Sequence, residues 1–383
     1  MKKLCSYVLA AALAAALLSG CGTKSPDSAD TSSAVNVEST VAETDTADAD
    51  ASAEDTSEKG DSENETDAAE TEEEPDIETI GQEGAHIRVG SLKGPTSMGL
   101  VFLMEMAESG KAANDYDFTM VTAADELLPK VVSGDLDIAL VPANVASVLY
   151  NRTKGGISVI DINTLGVLYV VTADDSIQSI EDLKGRTIYM TGKGTTPDYV
   201  FRYLLTENGL SDDDVTLEFK SEPTEVAALL QEEPDAVGVL PQPFVTAACA
   251  QNPDLKLALD LTAEWDKTQN DTESPSRLVT GVTIVRNEFL QNEPEAVNLF
   301  LQEHEKSAAY TQDQPEKAAE LVVKAGIIEK APVAQTSLPR CNITCITGSP
   351  MKDALGGYLQ VLFDQDPNSV GGTLPGNDFY YLP

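Results

Sequence analysis

Basic residues are scarce: 25 lysines and arginines stand against 64 aspartates and glutamates, leaving a formal net charge of −39 over 383 residues. A chain of that sign repels phosphate, so nucleic acid is not expected as a partner. Histidine is scarcer still, with only His86 and His304. An enzyme needs a base, an acid or a nucleophile array. His86 sits at the edge of the folded part, and His304, between Glu303 and Glu305 in a helical run, reads as solvent-facing, so no triad emerges. Of the five cysteines, Cys249, Cys341 and Cys345 fall in the part that folds, too few for a disulfide scaffold. Cys341-Asn-Ile-Thr-Cys345 leaves a disulfide and a thiol metal site open. No histidine lies nearby in sequence and no third ligand is evident, so neither a metal nor a cofactor is expected.

What is present begins with a leader. Lys2 and Lys3 precede an apolar run from Tyr7 to Leu18 that is too short for a comfortable membrane span, which reads as a secretory signal over residues 1–21. The run ends Leu18-Ser-Gly-Cys21, which resembles the bacterial lipoprotein processing site. That resemblance implies cleavage leaving Cys21 as a lipid-bearing N-terminus, anchored on the extracytoplasmic face of the cell membrane by its acyl chains. Residues 22–84 then contain no aromatic residue, and 21 acidic residues against Lys24 and Lys59. Such a segment buries too little apolar surface to offset its ordering entropy, so it reads as a disordered acidic tether, roughly 40–50 Å in coil size. No Asp-x-Asp-x-Asp-Gly pattern suggests a calcium role for it.

The remaining residues, 85–383, are enough for two ordinary domains or one two-lobed unit. Their organising stretch is Ile87 to Met106. A short β-type run meets a loop with Gly90, Gly94 and Pro95, and an unbroken apolar segment continues from Leu100. Thr96 and Ser97 fall where a helix would start. Free N–H groups there suit an anionic or strongly polar ligand, although an ordinary βα turn would use the same residues for backbone reasons alone. Strands are expected at Tyr116–Val121 and Asp135–Pro142, with helices at Ala124–Ser133 and from Ala143. Alternation of this kind argues for a doubly wound α/β lobe with ligands at the carboxyl ends of the strands.

Ile157 to Thr172 reads as two strands divided near Asn163. A second unit then repeats the opening plan: strand Thr187–Met190, loop glycines Gly192 and Gly194, Thr195 or Thr196 as cap, and a helix from Pro197. Two such turns, one per lobe, are expected to face each other across a cleft. Ala236–Leu240 is a further buried strand ending in Pro241-Gln-Pro-Phe244, a candidate pocket wall. Thr262–Ser276, with Trp265, reads as a polar surface loop. Leu278–Val285 is expected to pair with Val167–Thr172 as a two-strand hinge. Helices follow over Pro294–Tyr310, Pro315–Ala325 and Met351–Phe363.

The run Ser179-Ile-Glu-Asp-Leu-Lys-Gly185, the helix opening at Gly194-Thr-Thr, Asn208-Gly-Leu210 with Asp212-Asp-Asp-Val215, and the returns Asn292 to Phe300 and Gln314 to Ala319 resemble a known family. It is the periplasmic-binding-protein family of the second topological class, in the branch of alkanesulfonate, taurine, nitrate and thiamine-precursor binding components of ABC importers. The resemblance covers about Ile87 to Phe363. It implies an α/β fold of two doubly wound lobes, 85–171 with 286–383 as lobe 1 and 172–285 as lobe 2. It also implies a monomeric receptor that closes on a small-molecule solute and docks on an ABC permease with its ATPase.

Binding positions carried over are Gly94, Pro95, Thr96, Ser97 and Met98, then Asn144, then Gly194, Thr195 and Thr196, then Gln242 and Pro243. Few aromatics stand at these places, and Leu338-Pro-Arg-Cys-Asn-Ile343 departs from the common pattern, so the solute stays open. Arg340 in that segment reads as a surface or interdomain ion pair rather than a ligand contact. Two other readings remain: a sensor or adhesin using the same cleft for a protein, and a pyrimidine-precursor enzyme of the same fold. The leader and tether argue against the enzyme.

Overall fold

The computed structural model describes residues 84–269 and 276–383. The leader with Cys21 and the acidic tether lie outside the described residues. Eleven strands are described: β1 (His86–Leu92), β2 (Asp115–Val121), β3 (Ile138–Pro142), β4 (Ile157–Leu165), β5 (Leu168–Thr172), β6 (Thr187–Thr191), β7 (Thr216–Lys220), β8 (Val237–Pro241), β9 (Lys256–Asp260), β10 (Val279–Arg286) and β11 (Ile343–Ile346). They form two sheets, ordered β11-β4-β10-β3-β1-β2 and β7-β6-β8-β5-β9.

In each sheet a parallel trio is extended by antiparallel strands. β1 pairs in parallel with β2 and β3, and β10 runs antiparallel between β3 and β4. β6 pairs in parallel with β7 and β8, and β5 runs antiparallel to β8 and β9. The central strands are covered on both faces, which is why Ile-Ala-Leu-Val in β3 and Leu-Tyr-Val-Val in β5 are unbroken apolar runs. The expected α/β architecture of two doubly wound lobes is what the chain adopts.

The expected hinge pairing is not made. β5 hydrogen-bonds within the second sheet and β10 within the first, so they lie in different lobes. Sheet membership moves the first crossing from residue 171 to Gly166–Val167, and the second from 285 to between Asp260 and Val279. The division expected at Asn163 also fails. β4 runs through it, because Asn163 Nδ2 donates to Thr283 Oγ1 at 3.2 Å and a satisfied polar residue does not break a buried strand.

The expected loop at Thr262 is instead a helix, Leu261–Thr268, capped by Asp260 Oδ1, which accepts from Thr262 N at 2.9 Å. Trp265, expected on the surface, is fully buried. It lies between Tyr203 of the second lobe, ring centroids 4.6 Å apart, and Tyr358 of the C-terminal helix Gly348–Gln365, 5.6 Å apart. Tyr358 returns with the first lobe, so this aromatic stack fastens the lobes together. Burying a side chain of this kind contributes about 1.5–3 kcal/mol.

Candidate functional site

The turn after β1 is short and closed. Gly94 has φ 139° and ψ −156°, a conformation only glycine adopts without strain, and four helical residues, Pro95–Met98, follow. Its hydroxyls turn back rather than outward. Thr96 Oγ1 donates to Leu92 O at 2.8 Å, and Ser97 Oγ lies 2.6 Å from the same carbonyl and 2.7 Å from Ser91 Oγ. Ser97 and Met98 are fully buried, Met98 in an apolar cluster with Ala308, Val322 and Leu338.

The turn after β6 is more open. Gly192 and Gly194 have φ 80° and 70°, and Thr195 is exposed with its hydroxyl donating to Gly192 O. The helix Thr196–Glu207 begins here, but its N-terminus already holds an anion: Gly194 N donates to Asp198 Oδ2 at 2.8 Å, and Asp198 pairs with Arg202 at 2.6 Å. Thr196 Oγ1 donates to Asn144 Oδ1 at 3.2 Å. Asn144 opens the helix Ala143–Thr153 of the first lobe, so two of the sequence-derived positions meet across the lobes.

Gln242 and Pro243 follow β8. Gln242 N donates to Val167 O at 2.9 Å, tying β8 to the first crossing, and its Oε1 accepts from Thr246 Oγ1 at 2.9 Å. Its side-chain Nε2 is buried with no hydrogen-bond partner among the described residues. A donor left bare in this way costs about 1–3 kcal/mol, which a ligand acceptor would recover. Gln242 lines a cavity of about 460 Å³. Val245, Thr246 and Leu257 of the second lobe form one wall, and Val333, Thr336 and Arg340 of the first lobe form the other.

Arg340 differs from expectation: it forms no ion pair among the described residues. Its Nη1 lies 3.4 Å from Thr336 O, and its carbonyl accepts from Tyr169 OH at 2.8 Å, a bond across the lobes. Burial pushes the Cys249 thiol on the opposite wall up, against the opposing pull of the Arg340 guanidinium, so the cysteine stays neutral. Next along the segment, Asn342 Nδ2 donates to Gly166 O at 2.6 Å and Asn342 O accepts from Leu165 N at 3.0 Å. The segment that departs from the family pattern thus braces the crossing and places the cation at the cleft.

Sequence reasoning missed Asp161 and misplaced His304. His304 is fully buried, not solvent-facing, with Nδ1 3.0 Å from Asp161 Oδ2, and Asp161 is fully buried too. Cys341 and Cys345 are not disulfide-bonded; Cys345 instead stands beside that pair. The signal for His304 was its spacing: Val297, Phe300, Leu301, His304, Ala308 and Thr311 recur at helical intervals on the buried face of the helix Pro294–Asp313.

Comparison with known proteins agrees with this architecture. Residues 154–318 match the family model described as NMT1/THI5 like. A Brucella abortus protein named "Putative binding protein" is 25% identical over 217 residues, 57% of this chain, and the chain spans 64% of that relative's length. The crystal structure of an ABC transporter from Parabacteroides distasonis is similar with a TM-score of 0.64 at 22% identity, over 77% of this chain and 98% of that one. The periplasmic aliphatic sulphonate binding protein SsuA of Escherichia coli gives 0.62 at 17% identity, over 78% and 92%. The solved structures show the fold, that of periplasmic binding proteins, which is the fold expected from the sequence.

Proposed function

We propose that the protein is the extracytoplasmic solute-binding component of an ABC-type importer, lipid-anchored through Cys21 and lifted from the membrane by the 22–84 tether. It captures a small solute between its lobes as a monomer and delivers it to a permease and ATPase. The observation that carries this reading is the cavity of about 460 Å³ with walls from both lobes, Gln242 with its unsatisfied amide nitrogen on one side and on the other Arg340, which has no ion pair among the described residues. The solute it fits has an apolar body against Val245, Leu257 and Val333 and an anionic or acceptor group reaching Gln242 Nε2 and Arg340. Thr196 and Asn144 latch the lobes, while Gly94 to Met98 keep the first lobe's loop rigid.

No histidine or carboxylate lines this cavity among the described residues, which supports binding without turnover. The test is a melting series on the purified protein with sulfonates, nitrate, pyrimidines and amino acids, alongside mass spectrometry of any solute it retains. A ligand at 100 times its Kd adds about 2.7 kcal/mol of stability. Arg340→Ala should lower affinity about 10- to 100-fold, the worth of a charged hydrogen bond. A panel without any shift, or an Arg340→Ala protein that binds as well as the parent, would sink the assignment of this cavity.

A further inference from the structure

A buried polar relay runs through the first lobe, away from the cleft cavity. Thr164 Oγ1 donates to Asn163 Oδ1 at 2.9 Å, Asn163 Nδ2 to Thr283 Oγ1 at 3.2 Å, and Thr283 Oγ1 to Asp161 Oδ1 at 2.8 Å. All four side chains are at most 1% exposed. The relay is directional and ends on the Asp161 carboxylate, whose other oxygen faces His304 Nδ1 at 3.0 Å. His304 still has a ring nitrogen to spare, because Nε2 is buried without a partner among the described residues. Cys345, on the edge strand β11, stands beside the pair: one ligand atom from each of Asp161, His304 and Cys345 lies within 4.8 Å of the other two.

We infer that Asp161, His304 and Cys345 form a binding site for a divalent transition-metal cation of borderline softness, Zn²⁺ or its chemical equivalent. The donor set is one carboxylate oxygen, one imidazole nitrogen and one sulfur, the mixture such ions take, whereas Mg²⁺ and Ca²⁺ require oxygen alone. The spacing is close to what is needed: ligands about 2.0–2.3 Å from a tetrahedral cation lie about 3.3–3.8 Å apart, and the three donor atoms, within 4.8 Å of one another, reach it by a small inward shift of their side chains.

Charge agrees as well. A carboxylate and a thiolate together neutralise a dication, so the loaded site carries no net charge into an interior where an unbalanced one is expensive. On binding, the sulfur–metal bond forms as the Cys345 thiol proton leaves to solvent. Thr283 holds Asp161 from behind, as outer-shell donors hold ligating carboxylates. Cys345 is the part-exposed member, so the cation enters from the sulfur side. The site does not depend on the cleft reading.

The test is titration of the purified full chain, stripped by chelator, with Co²⁺ as the spectroscopic surrogate. The expected result is a thiolate-to-cobalt charge-transfer band that saturates at one equivalent, bleaches on adding Zn²⁺ and is absent in Cys345→Ser. Asp161→Asn and His304→Gln should each weaken Co²⁺ binding by more than about 10-fold. The acidic tether gathers cations through oxygen alone, so the sulfur band rather than total metal content is the readout. A second measurement needs no variant: Zn²⁺ should slow alkylation of Cys345, mapped by mass spectrometry, and leave Cys249 unaffected. No band, a band that survives Cys345→Ser, or unchanged alkylation of Cys345 overturns the site.

Discussion

The turns after β1 and β6 share a plan in sequence, strand, glycine loop and hydroxyl-bearing helix start, yet the structure uses their polar groups in opposite ways. In the first, Thr96 and Ser97 satisfy the Leu92 carbonyl and Ser97 is fully buried. In the second, Thr195 is exposed, Thr196 reaches Asn144 across the lobes and the loop N–H is held by Asp198. The same residue types therefore make a rigid floor in one lobe and a contact surface in the other. Neither helix start is left as a free anion host, which is why Arg340 and the Gln242 amide are the proposed hosts.

The largest expected difference lies in the carboxylate that steadies each lobe. Asp137, at the base of β3, accepts from Arg88 Nε at 2.8 Å, Arg88 Nη2 at 2.6 Å and Arg286 Nη2 at 2.9 Å, with 2% of its side chain exposed. Asp137→Ala should cost about 3–5 kcal/mol by taking the buried carboxylate from two guanidinium groups, of which Arg286 keeps only the exposed Glu288 at 3.1 Å. Asp198→Ala should cost about 1.5–3 kcal/mol, since Arg202 is part-exposed and keeps Asp212. Urea unfolding of both variants checks the order, and equal losses would break the contrast.

Asp137 also sets an acid limit. Burial alone would raise its carboxyl, but the hydrogen bonds and charge of Arg88 and Arg286 outweigh burial and hold it below the usual carboxylate range. A group depressed in the folded state contributes stability fully above its unfolded value, about 3.9, and loses it as pH falls toward the folded one. Stability of the parent should therefore fall below about pH 4, more steeply than that of Asp137→Asn.

A smaller effect separates the hydroxyls. Ser97→Ala strands Ser91 inside the lobe and should cost about 1–3 kcal/mol, while Thr195→Val should stay within about 0.5 kcal/mol. Melting temperatures of the two variants decide this, and a Thr195→Val loss as large as that of Ser97→Ala would mean the second turn is structural too.

Which parts of this were legible follows from where polar residues sit. β3, β5 and β8 announce themselves as unbroken apolar runs, and the repeat of strand, glycine loop and helix revealed two lobes. Asn163, Trp265 and His304 were misread for one shared reason. Each stands among polar neighbours that the fold buries and satisfies: Asn163 by Thr283, the Trp265 helix by its Asp260 cap, and His304 by Asp161. Glu303, taken as a sign of solvent beside His304, is itself buried and accepts from Tyr116 OH and Ala113 N, both at 2.6 Å. Pairing across 65 or more residues leaves no local trace, so the hinge partners of β5 and β10 were unreadable too, and the proposed cleft role of Arg340 depends on tertiary placement alone.

The smallest effect is the most diagnostic for the cleft, because it concerns a bond that exists only when the lobes are together. Thr196 Oγ1 and Asn144 Oδ1 are 3.2 Å apart and part-exposed, a neutral hydrogen bond worth about 0.5–1.5 kcal/mol. If solute binding and lobe closure are one equilibrium, losing that bond destabilises the closed state alone and lowers apparent affinity by the same free energy, about 2- to 10-fold. Thr196→Val and Asn144→Ala should then each weaken binding by that factor, and the double variant should weaken it no further, because the two residues share one interaction. Calorimetry of the four proteins with a common ligand measures the cycle. Additive losses would mean that each residue acts separately, and an unchanged affinity in all four would mean that the latch plays no part in holding the solute.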